Sequence, residues 1–261
     1  MKALLLLTLS LFSVSTFAAP KSELWQYWNS SNENSAIKVN HQKWQTILDK
    51  YLITERGNTL FRYKSVSSSD KKSLKSYIRD QSSIDPRQLT KAQQYAYWVN
   101  LYNAVTVDLI LDAYPIKSIT KLGGLFSFGP WDEEMVKIND KKITLNDIEH
   151  RILRPIWKDP RTHYAVNCAS LGCPNLQTQA FTAINTEQLL ENAASTFINS
   201  EKGVKVTDKQ VRLSSIYEWF AEDFGTKSQL IAHLAKYRPE LVNWNGRVVY
   251  DYDWSLNEKD S

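Results

Sequence analysis

Apolar residues recur at helical spacing in several separate blocks along the chain. Trp44, Ile47, Leu48, Tyr51 and Leu52 predict a surface helix over 41–53, and Leu74, Tyr77 and Ile78 another over 69–82, ended by Asp85-Pro86. Thr59 to Val66 alternates weakly and predicts a strand. Thr90-Lys91-Ala92-Gln93 has the form of a capping box and opens the strongest helix, Lys91 to Ala113, which Tyr114-Pro115 stops. That helix is apolar nearly all round, from Ala96 and Trp98 to Leu111, so it belongs inside a core.

Further along, Met135–Ile138 and Lys142-Ile143 flank Asn139-Asp140 as a hairpin, and Thr144 caps a helix ending near Pro155. Arg161 to Asn167 reads as a strand, followed by a tight segment from Cys168 to Pro174. A helix over 186–200, a hairpin over 204–213, short helices over 215–224 and 227–237, and a final strand over 248–254 complete the pattern. The expected fold is one α+β domain with a buried central helix and short hairpins. A helical extension over 19–84 precedes the domain at 85–261. Within that extension, residues 20–36 form a polar arm anchored by Leu24, Trp25, Tyr27 and Trp28.

The first residues stand apart. Met1-Lys2, an apolar run from Ala3 to Val14, and small residues flanking Phe17 predict a signal peptide over 1–18, cleaved after Ala18. The run is far short of the roughly 20 residues of a membrane span, and no later segment is long enough. The expected location is periplasmic or secreted, an oxidising environment for the two cysteines.

Composition narrows the function. With 43% apolar and 12% aromatic residues in 261, the chain has material for a sizeable core, which excludes global disorder. A net charge of +4, evenly spread, does not suggest a nucleic-acid partner. Two Cys and four scattered His exclude a Cys-rich zinc module, no spacing implies a metal, and nothing implies a cofactor.

Three anomalies carry the candidate chemistry. Glu149 falls in the stripe of Leu145, Ile148, Ile152, Leu153 and Ile156, whereas Asp147 and His150 fall outside it. A core-facing carboxylate needs a partner, for which Arg161 or a backbone amide is a candidate, or a role in a site. Asn100 and Asn103 share an inward face of the central helix, where two amides need several partners each. They either brace neighbouring loops or orient a catalytic group. Finally, a polar strand containing Arg161 and His163 runs into a turn bearing Cys168. Cys168 is a nucleophile if its surroundings lower its pKa, or half of a Cys168–Cys173 disulfide. A regular strand would aim His163 and Cys168 to opposite faces. Ser170 lacks the first glycine of a nucleophile elbow, Cys168 standing in its place. The nine Trp read as core and anchors before glycan platforms.

In order, Tyr97-Trp98-Val99-Asn100-Leu101-Tyr102-Asn103-Ala104, Leu145-Asn146-Asp147-Ile148-Glu149, the run from Asp159 to Pro174, and the run from Tyr217 to Gly225 resemble the motifs of the domain-of-unknown-function family numbered 547, over about residues 85–225. The resemblance implies that Asn100, Asn103, Glu149, Arg161, His163 and Cys168 are motif residues. Some eukaryotic members keep the cysteine at Cys168 and have Ser at Cys173, which favours a role for Cys168 beyond a bridge. The resemblance names a domain and not a reaction.

Two functional readings follow. One is a non-catalytic binding or scaffolding module for a small molecule, peptide or cell-envelope component. The other is a periplasmic thiol-dependent hydrolase or transferase acting on an amide or ester. There Cys168 is the nucleophile, His163 the base, Glu149 or Asn103 the orienter of that base, and Arg161 with Asn100 the substrate contacts.

Overall fold

The long helix α3 (Lys91–Ala113) lies at the centre, and its two faces generate two cores. It starts where Thr90 Oγ1 accepts from the Gln93 amide and Gln93 Oε1 accepts from the Thr90 amide, satisfying two otherwise unpaired N–H groups. On one face Trp98, Leu101, Tyr102 and Val105 pack with Ile148, Ile152 and Leu153. On the other, Ala104, Val107 and Ile110 pack with residues of α1 (Gln42–Tyr51) and α2 (Ser68–Ser82), notably Trp44, Leu48 and Leu74. The arm reaches the first core through Trp28, set edge-on to Trp98.

The computed structural model describes residues 20–124, 128–207 and 209–259; the expected leader and its cleavage site lie outside them. Within them the chain is an α+β domain with small sheets. Strands β1 (Leu52–Glu55) and β2 (Asn58–Phe61) form an antiparallel hairpin. The helix expected over 41–53 ends at Tyr51, and the strand expected over 59–66 is one half of this hairpin, because local periodicity does not register the turn between its arms. That turn is Arg56-Gly57, where both residues have positive φ (50° and 79°), as a two-residue hairpin turn requires. The hairpin of β3 (Val136–Ile138) and β4 (Lys141–Ile143) turns in the same way at Asn139-Asp140.

After β4, Thr144 and Asp147 exchange side-chain-to-amide hydrogen bonds and open a π-helical segment, Asp147–Leu153, which runs into α4 (Arg154–Trp157). Pro155 has no N–H, so carbonyls of the preceding turn are left without helical donors. The arm supplies them: Glu23 N donates to His150 O at 3.0 Å and Trp25 N to Arg151 O at 2.9 Å. A π-turn advances less per residue than an α-turn, so one inward face takes in adjacent positions. Both Glu149 and His150 are therefore buried, which corrects the expectation that His150 falls outside the stripe.

The expected strand over 161–167 is instead a turn and a one-turn helix, α5 (Thr162–Ala165). Asp159 Oδ1 accepts from the Arg161 amide, and the carbonyls of Asp159, Pro160 and Arg161 accept from residues 162–164. An Asp-Pro turn thus nucleates helix where side-chain alternation suggested strand. The opposed facing of His163 and Cys168 expected on a strand does not arise.

Helix α6 (Thr186–Ile198), the β5 (Val204–Val206)–β6 (Gln210–Ser214) hairpin and the short helices α7 (Ile216–Trp219), α8 (Ala221–Phe224) and α9 (Lys227–Ala235) enclose a third core around Tyr164, Phe197 and Tyr217. Strand β7 (Arg247–Asp251) pairs parallel to β6. It stops at Asp251, short of the expected Trp254. The chain beyond is a tail stitched to three places: Leu256 N donates to Lys117 O, Asn257 N to Ala169 O, and Phe61 N to Asn257 O. Among the described residues no helix is long and apolar enough to cross a membrane.

Candidate functional site

The segment 166–174 crosses the molecule between α3 and the C-terminal tail, clamped from both sides. Asn103 Nδ2 donates to Ala165 O at 2.9 Å and its Oδ1 accepts from Asn167 N at 2.8 Å. Asn167 in turn accepts from Ala169 N and donates to Pro174 O. From the tail side, Leu171 N donates to Ser255 O and Gly172 N to Asp253 O, both at 2.8 Å. A Cβ on Gly172 would stand 2.7 Å from Asp253 N, so the close approach of these two backbones requires glycine. Ala169, next to the candidate nucleophile and fully buried, is held at φ 56°, a left-handed conformation costly for a residue with a Cβ.

This clamp sets a half-buried thiol among hydrogen-bonding groups. Cys168 Sγ lies 3.0 Å from Cys173 Sγ, 3.2 Å from Ser170 Oγ and 3.0 Å from Tyr252 Oη, and both cysteines are free. Burial raises the cost of a thiolate, but the Cys173 thiol and the Ser170 and Tyr252 hydroxyls outweigh it and hold Cys168 below the usual thiol range. Burial and the neighbouring Cys168 sulfur push Cys173 well up, although its sulfur accepts from Cys168 N at 3.0 Å. Burial also pushes Tyr252 well up, which keeps its proton available to donate.

Cys168 opens on a cavity of about 920 Å³. One wall is aromatic: Trp219 stacks on Trp254 with centroids 5.5 Å apart, Tyr252 lies 4.6 Å and Trp131 5.8 Å from Trp254, and Phe128 closes the group. The other side carries Glu149, His150 and His163.

These three belong to a buried charge network. His163 Nε2 is 2.6 Å from Asp223 Oδ2, and Nδ1 is 3.5 Å from Glu149 Oε1. Phe220 stacks on the ring with centroids 4.1 Å apart. Burial lowers the His163 pKa, but Asp223 and Glu149 more than reverse this and raise it above the usual imidazole value. Glu149, although desolvated, is drawn down to about 2 by His150, His163 and Arg154, and Asp223 to about 2 by His163 and Arg154.

Arg154, with only 4% of its surface exposed, is satisfied from four directions: Asp223 at 2.5 Å, Glu222 at 2.7 Å, Pro20 O at 2.8 Å and His150 Nδ1 at 3.0 Å. Because a guanidinium can only donate, His150 Nδ1 accepts and its proton sits on Nε2. Burial pulls His150 down to about 4, so it is neutral at pH 7.

Of the six residues singled out in the sequence, Glu149, His163 and Cys168 line this cavity, and Asn103 braces the backbone just before the thiol. Two lie elsewhere. Asn100 brackets the Phe181 peptide unit, donating to its carbonyl at 2.7 Å and accepting from its amide at 2.9 Å. Arg161 pairs with Asp159, Glu187 and Glu191, tying the α5 turn to α6, and is not the partner of Glu149. Sequence reasoning missed Tyr252, Arg154, Asp223 and the role of Ser170 as a donor. Only Asp223 and Ser170 fell within noted motifs, and Tyr252 is brought in by the tail from 84 residues away. Among the described residues no three His, Cys, Asp or Glu side chains are grouped to hold a metal ion.

Among curated proteins and among solved structures, none matches this chain. Residues 86–198 match the family model described as protein of unknown function, DUF547. This stretch contains α3, Glu149, His163 and both cysteines, while Asp223 and Tyr252 lie beyond it. Over that segment the chain is similar to the DUF547 family.

Proposed function

We propose that the chain is an exported thiol-dependent acyl-transfer enzyme, a hydrolase or transferase acting on an amide or ester through Cys168. The observation that carries this reading is the Cys168 sulfur, facing the cavity in hydrogen-bond contact with Cys173, Ser170 and Tyr252. A thiol whose pKa is lowered in this way supplies more thiolate for attack. Its sulfur bonds to the acyl carbon, the C–N or C–O bond breaks, and the leaving amine or alcohol takes up a proton. That proton comes from water, and neutral His150, which lines the cavity with Nδ1 held by Arg154, can offer a hydrogen bond from Nε2–H but not an acidic proton. Water or another acceptor then takes the acyl group from sulfur.

His163 has a different role from the one its sequence position suggested. With Nε2 hydrogen bonded to Asp223 and Nδ1 facing Glu149 at 3.5 Å, both carboxylates raising its pKa, it is held by the charge network and is not the base for Cys168. The second reading, a binding or scaffolding module, is favoured because among the described residues no imidazole is hydrogen bonded to the sulfur.

The two readings separate on covalent chemistry. Protein exposed to p-nitrophenyl esters and aminoacyl anilides is quenched in acid and weighed intact. The enzyme reading expects an acyl adduct on Cys168 that turns over, and its loss in Cys168→Ser with an unchanged thermal midpoint. If esters leave no adduct and the anilides no cleavage, while Cys168→Ser loses stability, the module reading stands instead. Export is checked by N-terminal sequencing of the protein from its host, expected to begin at or near Ala19.

A further inference from the structure

We propose that Cys168 and Cys173 act as a dithiol that reduces a disulfide substrate, Cys168 attacking and Cys173 resolving. This rests on the reading of Cys168 as a reactive thiolate but not on acyl chemistry.

The two sulfurs are unequal in every respect that such a division of labour needs. Cys168 is half-buried and lines the cavity; Cys173 sits behind it with 4% of its surface exposed. Incoming disulfides therefore meet Cys168 first. Their sulfurs lie 3.0 Å apart with no side chain between them, so Cys173 is within reach of any mixed disulfide formed on Cys168. Cys168 Sγ donates to Cys173 Sγ at 3.0 Å, so the resolving sulfur already faces its target. The clamp on 166–174 keeps the pair together without a covalent bridge.

A cation stands behind the pair. Lys202 Nζ donates to Asn175 Oδ1, two residues past Cys173, at 2.8 Å. Burial pulls Lys202 down to about 8, while charge on Cys173 and then Cys168 holds it up. The Lys202 ammonium favours negative charge on Cys173 and so serves as counter-ion to the thiolate formed when Cys173 resolves the mixed disulfide. Lys202 is a positioning residue in this scheme, since it acts through Cys173.

The Cys168 thiolate attacks one sulfur of the substrate disulfide; a Cys168–substrate S–S bond forms, and the displaced thiolate takes a proton from water. Cys173 gives its proton to the hydroxide left by that water and attacks Cys168 Sγ. The Cys168–Cys173 bond forms as the second substrate sulfur leaves. Two electrons pass from the dithiol to the substrate, and a reduced thiol pair of another molecule returns them. The aromatic wall beside Cys168 suits a disulfide carried on a peptide, so the substrate class is a disulfide-bonded peptide.

The test uses the full mature chain, reduced and freed of reductant, then mixed with oxidised glutathione or with a disulfide-bonded peptide bearing aromatic residues. Samples are alkylated and weighed intact. The expected product is protein that has lost two hydrogens and carries no adduct, formed faster with the peptide. Cys173→Ser should halt at the mixed disulfide on Cys168, and Cys168→Ser should react at least about tenfold more slowly. Lys202→Met should leave the first step unchanged and shift the pH profile of the second upward. If the wild type accumulates the mixed disulfide as fully as Cys173→Ser does, the proposal is overturned. Should the Cys173 variants not fold, absence of the bridged form in wild-type protein across glutathione buffers overturns it equally. Failure of the acyl-transfer reading looks different: no variant then turns over esters, while exchange proceeds. Equal reactivity of glutathione and peptide overturns the peptide assignment.

Discussion

Arg154 Nη1 meets His150 Nδ1 at 3.0 Å, and this contact fixes where the imidazole proton lies. An always-charged donor on Nδ1 leaves the ring no room for a second proton there. The groups facing His150 are Glu149, Arg154, His163 and Asp223, and burial outweighs the two carboxylates.

Acid should therefore undermine the fold before the carboxylates titrate. His150 and His41 have folded pKa values of about 4 against 6.5 unfolded. For such groups the unfolded chain binds protons first, so stability is full above pH 6.5 and falls as pH drops toward 4. At about 1.4 kcal/mol per unit, each contributes up to ~3 kcal/mol of that loss. His150→Gln, which keeps an acceptor for Arg154, is expected to flatten the decline in thermal midpoint between pH 6.5 and 4. An unchanged slope would show that His150 does not fold as the neutral form.

A second, lower window belongs to the carboxylates. Glu149 and Asp223, both held at about 2, contribute stability that is full above their unfolded values and is lost as pH falls toward 2. His163 works the other way: its raised pKa contributes below 6.5 and that contribution fades as pH rises through the folded value. Removing one partner strands the others. Glu149→Ala and Arg154→Met are each expected to cost on the order of 3–5 kcal/mol at pH 7, read from denaturant midpoints. A cost below about 1 kcal/mol for Arg154→Met would mean that the buried network contributes little, as exposed pairs do.

Much of this arrangement was legible in the chain. Glu149 within an apolar stripe, the two asparagines on a helix apolar all round, and Cys168 at the end of a polar run each marked a departure from local pattern. The bounds of α3 followed from the Thr90–Gln93 box and Pro115, because capping and proline act within a few residues. What escaped was non-local or pattern-free. The π-turn that buries His150 depends on carbonyls being taken up by an arm more than a hundred residues earlier. Tyr252 sits in a tail without periodicity, and the parallel pairing of β7 with β6 spans three intervening helices. Arg161 looked like a site residue because it stands in the motif, yet its ligands are Asp159, next but one in sequence, and α6.

The thiolate is open to direct measurement. Alkylation of Cys168 by iodoacetamide is expected to show a midpoint below that of an ordinary thiol at about 8.5, with Cys173 unreactive in the folded protein. Tyr252→Phe removes one donor without removing the ring from the aromatic wall, and should raise that midpoint. Ser170→Ala should do the same. An equal midpoint in wild type and both variants would mean that the hydroxyls do not stabilise the charge.

Asn103 connects the central helix to the thiol through backbone alone, so its removal should separate folding from chemistry only in part. Asn103→Ala leaves Ala165 O and Asn167 N buried without partners, a cost of about 1–3 kcal/mol. Because Asn167 N fixes the approach to Cys168, the alkylation midpoint should also move toward the free-thiol value. Asn100→Ala is the control: it strands the Phe181 peptide unit at similar cost but should leave Cys168 untouched.

Gly172 tests the clamp from the tail side. Gly172→Ala would set a methyl 2.7 Å from Asp253 N and 2.9 Å from Asp253 O, both backbone atoms that cannot rotate away. The tail must retreat, weakening the Gly172 N to Asp253 O bond and, with it, the placement of Tyr252 one residue earlier. Overpacking of this kind costs about 1–3 kcal/mol. The more telling readout is chemical: Tyr252 Oη withdraws from Cys168 Sγ, so Gly172→Ala should raise the alkylation midpoint as Tyr252→Phe does, and the double variant should add little further. Additive shifts in the double variant would show that the glycine acts on the sulfur by some route other than the tyrosine.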